Sequence, residues 1–266
     1  MVTLDMQCFP GVFSPEPDEA EMVEFREKLF GLISSYHYCV LKTGDLHYGN
    51  EIYRLIFDRL FESLSQDSSG TKELQVLISK GGTNATSYAN SSVAFNFHND
   101  GLHVLIEVPQ IMGLACVKPA EIGGESILID GESVFGAVSE DPDLMRILST
   151  HDFCFSTTGN YGEPFVKRKI LVSDNLGNFS RINYFRTIIE QGHEKSGILL
   201  TEEQVLAINK LDRILLAQMN NIKFRMESGD FLIADNRKML HGRMPFKDFD
   251  GPSKRHMLRY WGNYKS

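Results

Sequence analysis

The run Val93-Ala94-Phe95-Asn96-Phe97-His98-Asn99-Asp100-Gly101 decides how this chain is read. Aromatic and polar residues alternate there, the period of a half-buried strand. If the strand persists, Asn96, His98 and Asp100 share one face and Asn99 turns away. His98 and Asp100 can then serve one ion together. Gly101 ends the strand, which puts the pair at a rim open to water. Alone, H-x-D is weak, because a polar strand end explains it equally well.

Working outward, the downstream chain reads as short strands separated by turn signals, near residues 112–117, 126–129, 153–156, 169–173, 180–185, 222–226, 229–233 and 256–261. Upstream, apolar Met22, Val23, Phe25, Leu29, Phe30 and Leu32 recur at helical spacing, and a second amphipathic helix covers 52–64. Strands are expected at 36–41 and 74–78. A helical insert at 134–150 is broken by Pro142. Another helix starts at Thr201, with Gln204 completing a capping box and Val205, Leu206, Ile208, Leu211, Ile214 and Leu215 turned inward. Helices first, then many short strands, predict a mainly β fold with flanking α: a double-stranded β-helix (jelly roll, cupin-like) forming one domain over 1–266. Polar residues 79–93 and 155–161 are candidate lids.

The bulk properties narrow the function. A formal net charge of −8 lacks the basic footprint of a nucleic-acid binder. Lys167-Arg168-Lys169 reads as a solvated strand end. No apolar run approaches a bilayer span, so no membrane is expected. The four cysteines at 8, 39, 116 and 154 form no C-x-x-C pair, which argues against a zinc ribbon. Cys39 and Cys116 sit in apolar runs and are expected as buried thiols. That usage fits a reducing compartment, and no signal-peptide pattern is present, so the cytoplasm is the expected location.

Two further pieces bear on the metal. In Gly229–Arg243 an apolar strand runs into a polar turn, and His241 follows between Leu240 and Gly242. Taken alone it reads more readily as a hydrogen-bonded core histidine than as a ligand. Two imidazoles and one carboxylate, however, are what non-heme Fe(II) oxygenases use on one face of the metal; thiolates would favour zinc and an all-oxygen set magnesium or calcium. In Ser253–Trp261, Arg255 and Arg259 stand four apart, an even separation that puts both on one side of a strand. Two inward cations demand anionic partners, either protein carboxylates or bound ligands, unless that face meets solvent.

Together these pieces resemble the taurine dioxygenase and clavaminate synthase-like (TauD/TfdA) family of Fe(II)/2-oxoglutarate-dependent dioxygenases. That family's pattern is H-x-(D/E), then Thr or Ser, then a distant His, then Arg. His98 and Asp100 match the first element, Ser126 the second at 26 residues on, His241 the third, and Arg255 the fourth, 14 residues later. The resemblance implies iron held by His98, Asp100 and His241, with Ser126 and Arg255 holding the distal carboxylate of 2-oxoglutarate. Arg259 matches a position that grips an anionic group of the primary substrate. The implied reaction consumes O2, releases succinate and CO2 and oxidises a C–H bond, hydroxylation being the default, on a small anionic or amino-acid-like molecule. On the predicted strand 180–185, Arg181 and Asn183 share a face that lines the substrate pocket or meets solvent. The competing reading is a non-catalytic metal-binding jelly-roll protein, which gives Ser126, Arg255 and Arg259 no task.

Overall fold

The computed structural model describes residues 1–14, 16–44, 50–65, 75–78, 92–103, 108–157, 163–248 and 254–265. Strand β1 (Thr3–Asp5) leads to helix α1 (Glu19–Tyr36), whose N-cap Asp18 accepts from Glu21 N. The buried stripe of α1 is Met22, Phe25, Leu29 and Ile33, while Val23, expected inward, is exposed. The helix overruns its expected end, so β2 (Tyr38–Lys42) starts later than its aromatic run suggests. Helix α2 (Glu51–Leu60) and strands β3 (Phe61–Ser63), β4 (Gln75–Ile78), β5 (Phe95–His98), β6 (Ile111–Lys118), β7 (Ile122–Gly123) and β8 (Ser126–Asp130) follow. Pro142 separates helices α3 (Gly131–Ser139) and α4 (Pro142–Thr150), as expected. Then come β9 (Phe153–Ser156), β10 (Phe165–Arg168), β11 (Leu171–Ser173) and β12 (Phe179–Ile182), and helices α5 (Arg186–Ser196) and α6 (Glu202–Gln218). The chain closes with β13 (Ile222–Phe224), β14 (Asp230–Asp235), β15 (Met239–Arg243), β16 (Phe246–Lys247) and β17 (His256–Tyr264).

A larger sheet runs β1-β2-β14-β6-β17-β3, with β4 also paired to β17; a smaller one runs β13-β8-β15-β5. Strand alternation sorts the side chains into three layers. Odd-numbered residues of β2 and β14 and even-numbered residues of β17 (Cys39, Leu41, Phe231, Ile233, Leu258, Tyr260) pack outward under α1 and α2. Ile127, Ile129 and Leu240 of the smaller sheet pack outward under α3, α4, α5 and α6. Between the sheets lie Val40, Met112, Cys116, Leu128, Leu232, Met239 and Met257. Residues from both sheets thus share one apolar layer, the arrangement of a double-stranded β-helix.

The capping box at Thr201 and Gln204 is present. Along α6, Ile208, Leu211 and Leu215 are buried, but Val205 and Leu206 face outward. Helix α5, strand β15 and the residue Arg168 depart from the sequence expectation in ways that bear on the site. Helix α5 has a weak apolar period because it docks through Gly192, where a Cβ would stand 2.2 Å from the Cys154 carbonyl oxygen. Strand β15 is five residues with a glycine inside, so it looks like a turn. Arg168, expected at a solvated strand end, is half-buried beside Arg181, and burial lowers its pKa.

Candidate metal centre

Strand β15 pairs with β5 so that His241 lies directly opposite His98. Their rings are 4.1 Å apart, centroid to centroid. The expected strand does not carry Asp100: β5 stops at His98, Asn96 is exposed, and Asp100 sits in the following turn. Gly101 makes that turn with φ 75°, and a Cβ there would stand 2.3 Å from Pro109 Cδ. Asn236, in the turn after β14, clamps the segment. Its Oδ1 accepts from Asp100 N at 2.8 Å, and its Nδ2 donates to the Asp100 and Pro109 carbonyls at 3.0 and 2.9 Å. Asn99 turns away from the pair, as expected, and donates to the carbonyls of Asn236 and Met239.

The result is a convergent donor set. His98 Nδ1–H donates to Asn96 O at 2.8 Å, which leaves Nε2 as the lone-pair nitrogen. His98 Nε2 and His241 Nε2 stand 3.8 and 3.9 Å from Asp100 Oδ1. The three donor atoms lie within 4.8 Å of one another. Burial pushes both histidine pKa values down, so the rings are neutral at ordinary pH. Burial pushes Asp100 up, but Arg259, His241, His98 and the Trp261 N–H outweigh it and hold its pKa below the usual range. Two neutral nitrogens and one anionic oxygen fit a divalent transition metal.

Both oxygens of Asp100 are tied. Arg259 Nη1–H donates to Oδ1 at 2.8 Å and Trp261 Nε1–H to Oδ2 at 2.9 Å. The Arg259 guanidinium also lies 4.8 Å from the Trp261 ring centroid. Both residues project from the interior face of β17.

The triad opens into a cavity whose other walls include Ser126, Arg243, Arg255, Arg259 and the apolar Met112 and Leu114. Ser126 is buried at the start of β8. Two glycines precede it; Gly124 has φ 77°, and a Cβ there would stand 3.3 Å from Phe246 Cβ and 3.8 Å from Arg255 Nε. Arg255 is only 6% exposed, and burial pushes its pKa down to about 10. Among the described residues no carboxylate lies within ion-pair distance of its guanidinium. Asp248 instead accepts from the Arg255 backbone N–H, at 3.0 Å.

The structure therefore brings His98, Asp100, His241, Ser126, Arg255 and Arg259 to one cavity. It does not bring Arg181 or Asn183 there. Arg181 sits on β12 opposite Val172, and Asn183 is buried with its Nδ2 donating to Lys169 O. The next turn does reach the triad: Phe185 packs 4.9 Å from the His98 ring. Of the expected lids, 79–91 and 158–161 lie outside the described residues; Phe155 and Ser156 belong to β9. Sequence reasoning passed over Trp261, Arg243 and Asn236. Parity flags the first two, since Trp261 stands two from Arg259, and Arg243 two from His241. Asn236 carries no such signal, because its role arises from a turn meeting a distant turn.

A double-stranded β-helix with two imidazoles and a carboxylate converging beside an arginine-lined cavity defines a protein of the non-heme iron type. Residues 23–261 match the model of the taurine catabolism dioxygenase TauD, TfdA family, and the chain belongs to that family. It is 28% identical over 174 residues to FR-33289 synthase of Streptomyces rubellomurinus, covering 63% of this chain and 51% of that protein. It is 26% identical over 172 residues to human gamma-butyrobetaine dioxygenase, covering 62% and 42%. The chain thus spans about half the length of these curated relatives. Among solved structures it resembles asparagine oxygenase in complex with Fe(II), 2S,3S-3-hydroxyasparagine and succinate, with TM-score 0.73 and 17% identity over 98% of this chain and 92% of that one.

Proposed function

We propose that this chain is one Fe(II)- and 2-oxoglutarate-dependent oxygenase domain. His98, Asp100 and His241 hold the iron, and Ser126 and Arg255 hold the distal carboxylate of 2-oxoglutarate. The observation that carries this reading is the buried Arg255 guanidinium, which faces the triad's cavity with no carboxylate of the described residues paired to it. A buried cation of this kind calls for an anion, and a dicarboxylate that also reaches the metal supplies one. The non-catalytic alternative leaves that charge unexplained.

When bound, the iron and cosubstrate supply O2 activation coupled to loss of CO2 and formation of succinate. The protein's own part is positional. His98 is held in one tautomer by Asn96 O, and Asn236 and Trp261 hold Asp100 in place from its backbone and its Oδ2 side. Met112 and Leu114 give the cavity an apolar wall that limits water. Arg259 presents its guanidinium beside the triad, where it suits a carboxylate on the primary substrate. An amino-acid-like substrate with an oxidisable C–H bond, hydroxylated by default, follows from that cation and accords with the hydroxyasparagine in the asparagine oxygenase complex. With Asp100 as the third protein ligand, the site would not leave a halide the carboxylate's place on the metal, which disfavours halogenation. Three of the four free cysteines are buried, which suits a reducing compartment such as the cytoplasm, and no described helix is long and apolar enough to cross a membrane.

The test is succinate formation from 2-oxoglutarate with Fe(II) and O2, run with amino acids as candidate stimulants. Wild type is expected to form succinate and Arg255→Met to need far more 2-oxoglutarate. Absence of Fe(II)-dependent succinate from the wild type under every stimulant would refute the assignment.

A further inference from the structure

The residue between the two neighbouring metal ligands points away from the cavity, yet every polar atom of its side chain is engaged. Asn99 is 1% exposed. A side-chain amide offers two N–H donors and a carbonyl acceptor. Here all of them serve backbone groups of two other chain segments. Asn99 Nδ2–H donates to Asn236 O at 2.7 Å and to Met239 O at 3.0 Å, and Oδ1 accepts from Tyr184 N at 3.0 Å. The Asn99 backbone N–H adds a fourth bond, donating to Tyr184 O at 3.1 Å.

Each segment that Asn99 joins carries part of the triad or its packing. Its own neighbours are His98 and Asp100. Met239 opens β15, and His241 follows two residues on, on the same face of the strand. Tyr184 precedes Phe185, whose ring packs against His98. Asn236 reciprocates, since its own amide bonds both the N–H and the carbonyl of Asp100. The two buried asparagines therefore interlock, each side chain holding the other's segment by its backbone. Tyr184 gives this lock a fixed reference, because its hydroxyl donates to Asp212 of α6.

Only an amide on so short a stem serves all three groups. Aspartate has no donor, and its charge would face two carbonyl oxygens. A threonine hydroxyl has a single hydrogen for two carbonyls. Leucine, of similar shape, leaves three buried backbone groups without the partner they have here.

We infer that Asn99 is a positioning residue of the metal centre: its amide sets the spacing between the His98–Asp100 segment and the strand that carries His241. This deepens the oxygenase reading and rests on its metal triad. Three donors must meet one ion at fixed distances, so a shift of either segment weakens the grip on the metal even where the fold survives.

Calorimetric titration of the full chain with Co(II) measures metal affinity without turnover, and thermal unfolding of the same metal-free samples measures stability. Asn99→Leu is expected to weaken Co(II) binding roughly 10- to 100-fold. Asn99→Thr, which keeps an acceptor and one donor, is expected to fall between wild type and Asn99→Leu. It decides the matter if the leucine variant does not fold. Gln204→Leu is the control, because it removes another buried amide, one that donates to Asp152 O and accepts from Thr201 N at the start of α6. It should lower Tm and leave Co(II) affinity at the wild-type level. Wild-type affinity in the Asn99 variants, with Tm alone reduced, overturns the inference, and so does an equal loss of affinity in Gln204→Leu. Absence of Co(II) binding by the wild type would instead overturn the metal centre itself.

Discussion

Two histidine–aspartate groupings lie along the same pair of strands, one at their end and one at their middle, and they are built differently. Strands β8 and β15 run side by side with Ser126 facing Arg243 at one end and Asp130 facing Met239 at the other. At the Asp130 end, His37 Nδ1 is 3.0 Å from Asp130 Oδ1, and His37 Nε2 is 3.5 Å from Lys238 Nζ. Asp130 also caps α3 by accepting from Glu132 N, Ser133 N and Ser133 Oγ. Every polar ring atom there is spent on a protein partner. At the middle of the pair, where His241 meets His98 of β5, both Nε2 atoms stand 3.8–3.9 Å from Asp100 Oδ1. That is too far for a hydrogen bond and suited to three groups around one ion. The difference teaches that a metal centre is recognised by how its donor atoms converge, since a histidine beside an aspartate occurs in both places.

Exchanging the two groupings by mutation gives the largest expected effect. His241→Ala removes one of three donors, and Fe(II)-dependent succinate formation should fall at least ~100-fold, the upper range for losing a mere supporting partner. His37→Asn keeps a residue that tolerates the left-handed backbone at this helix end, φ 63°. It should cost ~1 kcal/mol of stability through the lost aspartate bond and leave turnover in place. Succinate assays and thermal unfolding on the same preparations read both, and equal losses of activity would erase the contrast.

The next effect concerns how each aspartate is held. Trp261 is the single tryptophan of the chain, and its N–H bonds Asp100 Oδ2 while Oδ1 faces the imidazoles. Trp261→Phe retains the ring and removes the donor. Metal affinity should weaken by about 10-fold, the low end for losing a partner of a metal ligand. Titration with Co(II) or Ni(II) measures it, and in the wild type quenching of the lone indole should follow the same curve. Unchanged affinity in the variant would mean that Arg259 and Asn236 suffice to orient the carboxylate.

Much of this site was legible in the residues, because alternation on short strands is a reliable rule. Arg255 and Arg259 share a face as their even spacing requires, and Ser126 and His241 arrive by register on adjacent strands. Asp100 stands beside the two histidines for a reason the pattern did not contain. It is placed by a glycine turn and by Asn236, more than a hundred residues on, rather than by continuation of the strand. Helix α5 and strand β15 escaped because each docks through a glycine, so the apolar signal that marks an element was thin. Arg181 and Asn183 show the reverse error: parity gave them a shared face but not which layer that face meets. Asn183 turned out to be a backbone ligand, bonded to Lys169 O. Local periodicity names the face, and only the assembled sheets decide what lies opposite it.

The smallest effect sharpens the contrast by pH. Asp130→Ala removes the cap of α3 and the partner of His37, together about 2 kcal/mol, a fall of roughly 5 °C in Tm. Metal affinity at neutral pH should not change, because no donor of the triad is touched. Burial raises the Asp130 pKa, but hydrogen bonds from His37, Ser133 and Glu132 outweigh that and hold it below the ordinary carboxylate value. A depressed folded-state pKa adds stability that is fully present above the unfolded value, near 3.9, and lost as pH falls through the folded one. The Tm gap between wild type and Asp130→Ala should therefore be full at pH 7 and close as the solution is taken below about pH 4. Differential scanning at several pH values measures it. A gap that stays constant into acid would mean that Asp130 acts as a neutral acceptor. Charge would then play no part in the structural pair, and the two groupings would differ in electrostatics as well as in how their donor atoms converge.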